Sequence, residues 1–578
     1  MSIAKNQSKF ARLMFFNIFI FREKITVVIL SLTLTLISIL DILGIVILAI
    51  AIADPTQYLN SKISENLPFL SESLNFESES RTVILLALAI LIFSSKTVIG
   101  ILTIRKLFTF LGHKCSVAAD EIFQKIFKQD LMSFQSRDAS IYSYTLTSGL
   151  QALIIDNIGY MVLLVSELLS LLLILCVLVY LMPLVTLIVA LYFIIAVATI
   201  QKFTSSRTSS QERIRSEGYI SSLAQVGTLW DFYVEMRMQP FRVKNQDKFF
   251  ADRNNEFKAI GNLQILGLLP KHLLEIVMLV GASITFLVTQ LTLGKSEAIL
   301  VLGIFIISAS RILPATIRIQ SALNQIARTN VTSKKTWNIL TSLDSSVKEN
   351  KGACSETVSF KNLVLTVTNM SFNYKGTSND LFDSLSFTFN GFGLYSIVGP
   401  SGSGKTTLLN LLTGIVQPLS GTISVCGHLP QIYCDAHGEI IGYAPQRPKL
   451  LVDSILENVR LYDKTKLPND VFQILQDLDL CESMNLKSIS DLDKILDSKE
   501  SLSGGQSLRL GLARLLIRDY KIIIVDEPTS ALDSESSEIM LKILKTYSER
   551  AMVIVVTHSE RIKLISDSVI QLGQFTSK

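Results

Sequence analysis

Long apolar runs separated by polar, mostly basic stretches fill the first half of the chain. Apolar residues are nearly uninterrupted over 25–53, 83–103, 154–180, 184–200, 263–289 and 297–313, and a helix crossing a bilayer needs about 20 such residues. Six spans are therefore predicted. The first is longer than a bilayer requires, so it tilts or extends beyond the membrane. Between spans two and three, and again between four and five, the pattern changes to mixed faces at helical spacing over 107–128 and 201–260. Lys and Arg are frequent in both stretches, which places these excursions on the cytoplasmic side.

The shorter segments have their own patterns. Residues 8–20 read as an interfacial helix with Arg12 near the head groups. Asp54-Pro55 ends the first span, and 56–80 reads either as an amphipathic helix on the far surface or as an ordered loop. Its excess of Glu over Lys suits the outer side. A tight turn at Met182-Pro183 joins spans three and four. The turn-like segment 129–138 is the expected tip of the first excursion, where contact with a second domain is predicted. In the second excursion, 222–232 suggests a short crosswise helix, with a solvated face or a domain contact as its two readings. Six helices enclose only a small path, which predicts that two such halves associate. The chain is accordingly divided into a transmembrane domain (1–330), a polar, helix-compatible linker (331–345) and a second domain (346–578).

In the last part the apolar runs shorten to strand length, and turn residues follow them. The run 394–398 leads directly into Gly399-Pro400-Ser401-Gly402-Ser403-Gly404-Lys405-Thr406-Thr407. This G-x-x-x-x-G-K-T spacing curls backbone N–H groups around phosphates, puts the Lys405 ammonium at the terminal ones and leaves the Thr406 hydroxyl for Mg2+. Ahead of it, Tyr374 is placed to stack on adenine or to fill the core as a strand aromatic. The strand 440–444 ends near Gln446, whose amide suits Mg2+ or a water. Ser503-Gly504-Gly505-Gln506 opens a helix whose bare N–H groups suit a γ-phosphate. The buried strand 522–526 delivers Asp526 for Mg2+ and Glu527 to polarise the attacking water. His558, at the end of 553–556, suits the γ-phosphate and the alignment of that water. Strand ends of a parallel sheet are where ligands bind.

Composition agrees with this division. Of the 578 residues, 49% are hydrophobic and 18% charged, below the roughly 25% charged of soluble domains. Mean hydropathy is +0.43. The net charge of +5 is explained by basic residues flanking spans, and no concentrated basic stripe calls for a nucleic-acid partner. Six cysteines without a C-x-x-C pair read as reduced thiols. No small-residue cleavage site follows a short apolar core near the N-terminus, so a removed signal peptide is not expected. Within the spans, Arg311 and Glu275 either face a shared polar pathway or snorkel to the interface. His272 reads as a boundary residue, since no second ligand stands at metal spacing.

With the phosphate loop, Gln446, the 502–506 signature, Asp526-Glu527, Asp533 and His558 in this order, the chain resembles the ATP-binding cassette (ABC) exporters over essentially its whole length. The resemblance implies a multi-domain membrane protein, a six-helix type I exporter domain followed by a P-loop α/β nucleotide-binding domain. It implies an ATPase coupled to transport, with ATP and Mg2+ as cofactors. Two chains would sandwich two ATP molecules, each between one chain's phosphate loop and the other's Ser503–Gln506, with Asp533 also at the nucleotide. The segments around Phe134 and Trp230 would be coupling helices. Because Glu527 matches the pattern, a homodimer with two working sites is implied. Two departures stand out: Ser507 replaces the usual Arg, though Arg509 is kept, and Leu496–Ser501 lacks the glycine of the segment before the signature.

Among exporters, the 56–80 stretch, Leu269–Glu275 and Arg311–Pro314 are similar to the lipid-linked oligosaccharide flippases of bacteria. That similarity implies an inner-membrane location and a pyrophosphate-lipid substrate near Arg311. A multidrug, lipid or peptide exporter is the alternative substrate class. A protein gated by ATP without hydrolysis is a third reading, opposed by Glu527 and His558.

Overall fold

The computed structural model describes residues 19–52, 78–129, 131–135, 138–181, 183–238, 242–293, 295–346, 363–374, 380–436, 440–496, 502–530 and 532–573. The chain divides into two compact units, one comprising most of the residues up to Val347, the other Lys348–Lys578 together with the short segment that ends at Phe134.

The first unit is helical. Its elements are α1 (Phe21–Ile52), α2 (Ser78–Phe127), α3 (Leu131–Gln135, of which all but Gln135 groups with the other unit), α4 (Ala139–Tyr144), α5 (Gly159–Leu181), α6 (Pro183–Asp231), α7 (Tyr233–Met238), α8 (Arg242–Leu293) and α9 (Lys295–Ser346). Two π-helical turns, Thr145–Gly149 and Gln151–Ile158, lie between α4 and α5. Among the described residues, five stretches are long and apolar enough to cross a membrane, starting at Phe21, Val83, Ala139, Leu187 and Gln246. The predicted sixth span falls on the start of α9, where most side chains over 292–311 lie outside the described residues. The expected interfacial helix at 8–20 and the outer stretch at 56–80 also lie almost entirely outside them.

Inside these apolar helices several hydroxyls are satisfied locally, as a medium without water demands. Thr97 donates to Phe93 O and Thr103 to Ile99 O, each at 2.8 Å. One expectation is revised. The 222–232 stretch is not a separate crosswise helix but the end of α6, and the short element that follows is α7. Nothing stops α6 earlier, because a lone Gly227 costs a helix only about 1 kcal/mol. Residues 331–345, expected as a helix-compatible linker, are helical and form the last part of α9, with Thr332, Ser333, Thr336 and Leu343 buried.

Helix α9 is stapled in parallel to α6 at a nearly constant offset. Gln320 donates to Gln201 (2.7 Å), Thr204 to Asn324 (3.3 Å), Ser209 to Ala327 O (3.4 Å), Thr332 to Glu212 (3.3 Å) and Lys335 to Ser216 (3.2 Å). Glu212, whose side chain is only 2% exposed, also takes Arg215 Nε at 2.9 Å and lies 3.6 Å from Arg328 Nε. Buried carboxylates persist only when paired in this way. The π turns bring Gly149 so close to α9 that a Cβ there would fall 2.5 Å from Thr336 Oγ1.

The second unit is α/β. An antiparallel sheet in the order β2-β1-β4 contains β1 (Val364–Phe372), β2 (Phe382–Asn390) and β4 (Ser420–Val425). A parallel sheet in the order β5-β6-β7-β3-β8 contains β3 (Gly393–Val398), β5 (Ile441–Ala444), β6 (Ile522–Asp526), β7 (Met552–Val556) and β8 (Ser568–Gln571). Strands β3, β6 and β7 are buried at every residue, as expected of a sheet covered on both faces. The helices that matter for the site are α10 (Lys405–Leu412), α11 (Gly504–Leu516) and α12 (Ser534–Ser548). Leu131 and Met132 of α3 pack against this unit's core, and Leu131 N–H donates to Ile415 O at 3.3 Å.

Candidate functional site: a phosphate loop with a carboxylate pair

The register of the parallel sheet sets the site. Pairing of β3 with β7 and of β7 with β6 aligns their C-terminal ends, so the loop after β3, Asp526-Glu527 after β6 and Thr557-His558 after β7 open on one edge. In that loop Gly402 (φ +82°) and Gly404 (φ +84°) take the left-handed conformation that glycine adopts without strain. A Cβ on Gly404 would sit 2.9 Å from Leu381 Cδ2, and one on Gly399 2.6 Å from Ser403 Oγ. The loop must therefore be bare backbone, and its amides run into the N-terminus of the eight-residue α10, where the helix dipole favours anions.

Around the loop the polar groups converge. Lys405 Nζ donates to Gly399 O (2.9 Å) and Pro400 O (3.0 Å) and lies 2.9 Å from His558 Nε2. The Thr406 hydroxyl donates to Asp526 Oδ2 at 3.0 Å. Gln446 Nε2 donates to Glu527 Oε2 at 2.7 Å, and His558 Nε2 stands 3.5 Å from Glu527 Oε1. Burial, reinforced by the neighbouring Glu527 charge, pushes the Asp526 carboxyl above its ordinary range, against the opposing pull of the Thr406 hydroxyl and Lys405. Tyr374 does not simply fill the core: it is partly exposed, its ring meets Phe372 edge-on, and its hydroxyl is 2.7 Å from Thr407 Oγ1.

Other expected residues lie apart from this cluster. Ser503 caps α11 by accepting from Gln506 N–H (3.1 Å), and Gln506 accepts in return from Ser503 N–H (2.9 Å), a capping box. Gly504 and Gly505 begin that helix. Gln506 Nε2 also donates to Ser483 O at 2.8 Å. Asp533 caps α12 by accepting from Ser536 N–H at 2.7 Å. Ser401 and Gly402 are exposed at the loop tip. Arg509 is buried and binds Leu478 O, Asp479 O and the Asp479 carboxylate, each at 3.2 Å, which makes it a brace for the domain.

Sequence reasoning missed one backbone feature. Glu527 sits at φ +48°, a region disfavoured for a side chain-bearing residue. Its N–H is held by Val556 O at 2.9 Å, so the neighbouring strand β7 fixes the twist that aims its carboxylate. No Gly or Asn marks the position, and local pattern does not reveal it.

The donor set fits a nucleotide with Mg2+. Ser403 Oγ is buried in the loop without a protein partner among the described residues, a hydroxyl suited to a phosphate oxygen. Thr406 and Asp526 offer two hard oxygen ligands side by side, as Mg2+ requires.

Residues 382–530 match the family model described as ABC transporter. The domain is thus a nucleotide-binding one whose ligands are ATP and Mg2+, and the helical unit followed by this domain has the architecture of a type I ABC exporter. A solved structure described as a bacterial Atm1-family ABC exporter with ATP bound is similar over 95% of this chain and 93% of its own, with a TM-score of 0.71 and 16% identity. The microcin-J25 export ATP-binding/permease protein of Escherichia coli is 31% identical over 39% of this chain and 39% of its own length. The ATP-dependent lipid A-core flippase of Burkholderia thailandensis is 37% identical over 33% of this chain and 32% of its own. ABC transporter B family member 13 of Arabidopsis thaliana is 30% identical over 33% of this chain and 15% of its own. The chain thus spans well under half the length of these curated relatives.

Proposed function

We propose that this chain hydrolyses ATP to export an amphipathic molecule, a peptide, lipid or drug-like compound, across a bacterial inner membrane, working as a pair of identical chains. The observation that carries the reading is the continuous contact chain Gln446–Glu527–His558–Lys405. It puts a general base, an imidazole and a phosphate-binding ammonium within one contact group, as in-line attack of water on a phosphate requires.

In this mechanism the loop amides and Lys405 hold the phosphates. Thr406, Asp526 and Gln446 would hold Mg2+, which neutralises phosphate charge when bound. Glu527 accepts a proton from the attacking water, and His558 keeps Glu527 and the γ-phosphate in line. The separate, outward-facing Ser503–Gln506 turn supports a composite site, closed by the partner copy's equivalent turn. Asp533 and Tyr374 complete the nucleotide contacts.

The named activities of the relatives, microcin export and lipid A-core flipping among them, support the broad substrate class. The narrower reading, a lipid-linked oligosaccharide, depended on the 56–80 stretch, Arg311 and Glu275. Most of that stretch and the Arg311 side chain lie outside the described residues. Glu275 is exposed and pairs with His272 of its own helix at 3.3 Å, so it adds nothing for a pyrophosphate. The test is reconstitution of the full chain in vesicles with ATP inside or outside. ATP-dependent movement of an amphipathic tracer, abolished in Glu527→Gln, is expected; movement that persists unchanged in that variant would refute the reading.

A further inference from the structure

Glu167 on α5 and Arg318 on α9 form an ion pair between two helices, Nε to Oε1 at 2.7 Å. Counted back from Leu181 at ~1.5 Å per residue, Glu167 lies about 21 Å along α5, and counted from Lys295 its partner Arg318 lies about 34 Å along α9, which puts the pair towards the cytoplasmic edge of a hydrocarbon core ~30 Å thick. Charges at such depth are costly against lipid and persist where they border a polar path.

The pair is not sequestered. The Arg318 side chain is 53% exposed and that of Glu167 23%. On α9 the exposed positions next to it are Pro314 and Ser321, whereas a helix such as α1 exposes Ile25, Val28, Ile29, Leu32 and Leu36. An apolar stripe suits lipid; the stripe on α9 suits water. Just beyond, Gln320 Oε1 and Asn324 Nδ2 belong to almost fully buried side chains and have no partner among the described residues, as expected where ordered water reaches a helix.

The pairing also uses only one edge of the guanidinium. Among the described residues Nε alone is engaged, and Glu167 Oε2 is buried without a partner. Arg318 thereby keeps its Nη1–Nη2 edge, which grips a carboxylate or phosphate through two parallel N–H bonds.

We propose that Arg318 is the recognition site for the anionic group, carboxylate or phosphate, of the exported amphiphile, and that Glu167 is the positioning residue that orients it. The proposal deepens the export reading and rests on it for the word exported, but binding at Arg318 is measurable without turnover.

The test uses the full chain in phosphatidylcholine nanodiscs without nucleotide, so loss of ATP-driven movement and loss of this site are separate results. Labelled N-dodecanoylglycine and dodecyl phosphate are the anionic probes and dodecyltrimethylammonium the cationic one. Saturable binding of at least one anion and none of the cation is expected. Arg318→Ala weakens it about tenfold or more, as loss of a charge-assisted contact implies. Arg318→Lys, which keeps the charge but not the fork, and Glu167→Gln, which loosens its orientation, each weaken it about threefold. If only one anion depends on Arg318, that anion gives the head group. No saturable binding of either anion, wild-type affinity in Arg318→Lys and Arg318→Ala, or equal binding of the cation would overturn the proposal. Should Arg318→Ala fail to fold, Arg318→Lys and Glu167→Gln decide.

Discussion

Gln446 Nε2 donates to Glu527 Oε2 at 2.7 Å, tying the residue that follows β5 to the carboxylate that follows β6. Glu527 is already held in the left-handed region by Val556. Its carboxylate therefore has a fixed backbone below it and one directing amide beside it. A shift of Gln446 re-aims the group proposed as general base.

Glu527→Gln removes the base without removing a hydrogen-bonding partner for Gln446. Hydrolysis is expected to fall by about two to four orders of magnitude, the range for general-base loss, while ATP binding persists. Gln446→Ala keeps the carboxylate and is expected to lower turnover less and to weaken the Mg2+ dependence. Steady-state hydrolysis beside equilibrium ATP binding separates the two.

Gly404→Ala forces a Cβ into a φ of +84° and to within 2.9 Å of Leu381. The strain costs about 1–2 kcal/mol and disturbs the loop at the start of α10. Loss of ATP binding with the fold retained by circular dichroism is the expected outcome, whereas Gly573→Ala, with nothing within 4 Å of the added carbon, serves as the silent control.

Asp526 supplies a pH dependence. Burial raises its carboxyl above the ordinary 3.8, so the folded domain holds this proton more tightly than the unfolded chain. The contribution to stability is full below the unfolded value and is lost as pH rises through the raised folded value. Mg2+ needs the ionised form, so metal-dependent ATP affinity is expected to weaken as pH falls towards that raised value. Titration of ATP binding with and without Mg2+ checks this; Asp526→Asn should abolish the metal-dependent part.

Ser503→Ala removes the cap of α11 at a cost of about 1 kcal/mol. Ser503→Asp restores a cap but places negative charge where the proposal puts the partner's phosphate. If Ser503 acts only as a cap, Asp recovers hydrolysis; if it serves the composite site, Asp stays as inactive as Ala. Melting of the domain by hydrogen exchange at α11, beside ATP hydrolysis, distinguishes these.

Local pattern carried the parts of the chain that are contiguous. The run 394–398, the glycine loop and the apolar helix after it lie next to one another in sequence, so their strand–loop–helix order follows from spacing alone, and it is the order observed in β3 and α10. The membrane helices were legible for a similar reason, since lipid requires apolar length and that length is written residue by residue. Boundaries were less legible. The polar stretch 331–345 reads as a connection, yet Thr332, Ser333 and Thr336 are buried on α9 by packing that spacing does not encode.

The sequence by itself therefore determined the class of chemistry, phosphate binding beside two carboxylates, and the membrane character of the first half. The tertiary structure decided which distant groups meet: Gln446 with Glu527, Lys405 with His558, Glu167 with Arg318, and α6 with α9 along their polar seam. Strand order, helix register and the sign of one φ angle fix those meetings. They are properties of packing between segments, and no window of adjacent residues contains them.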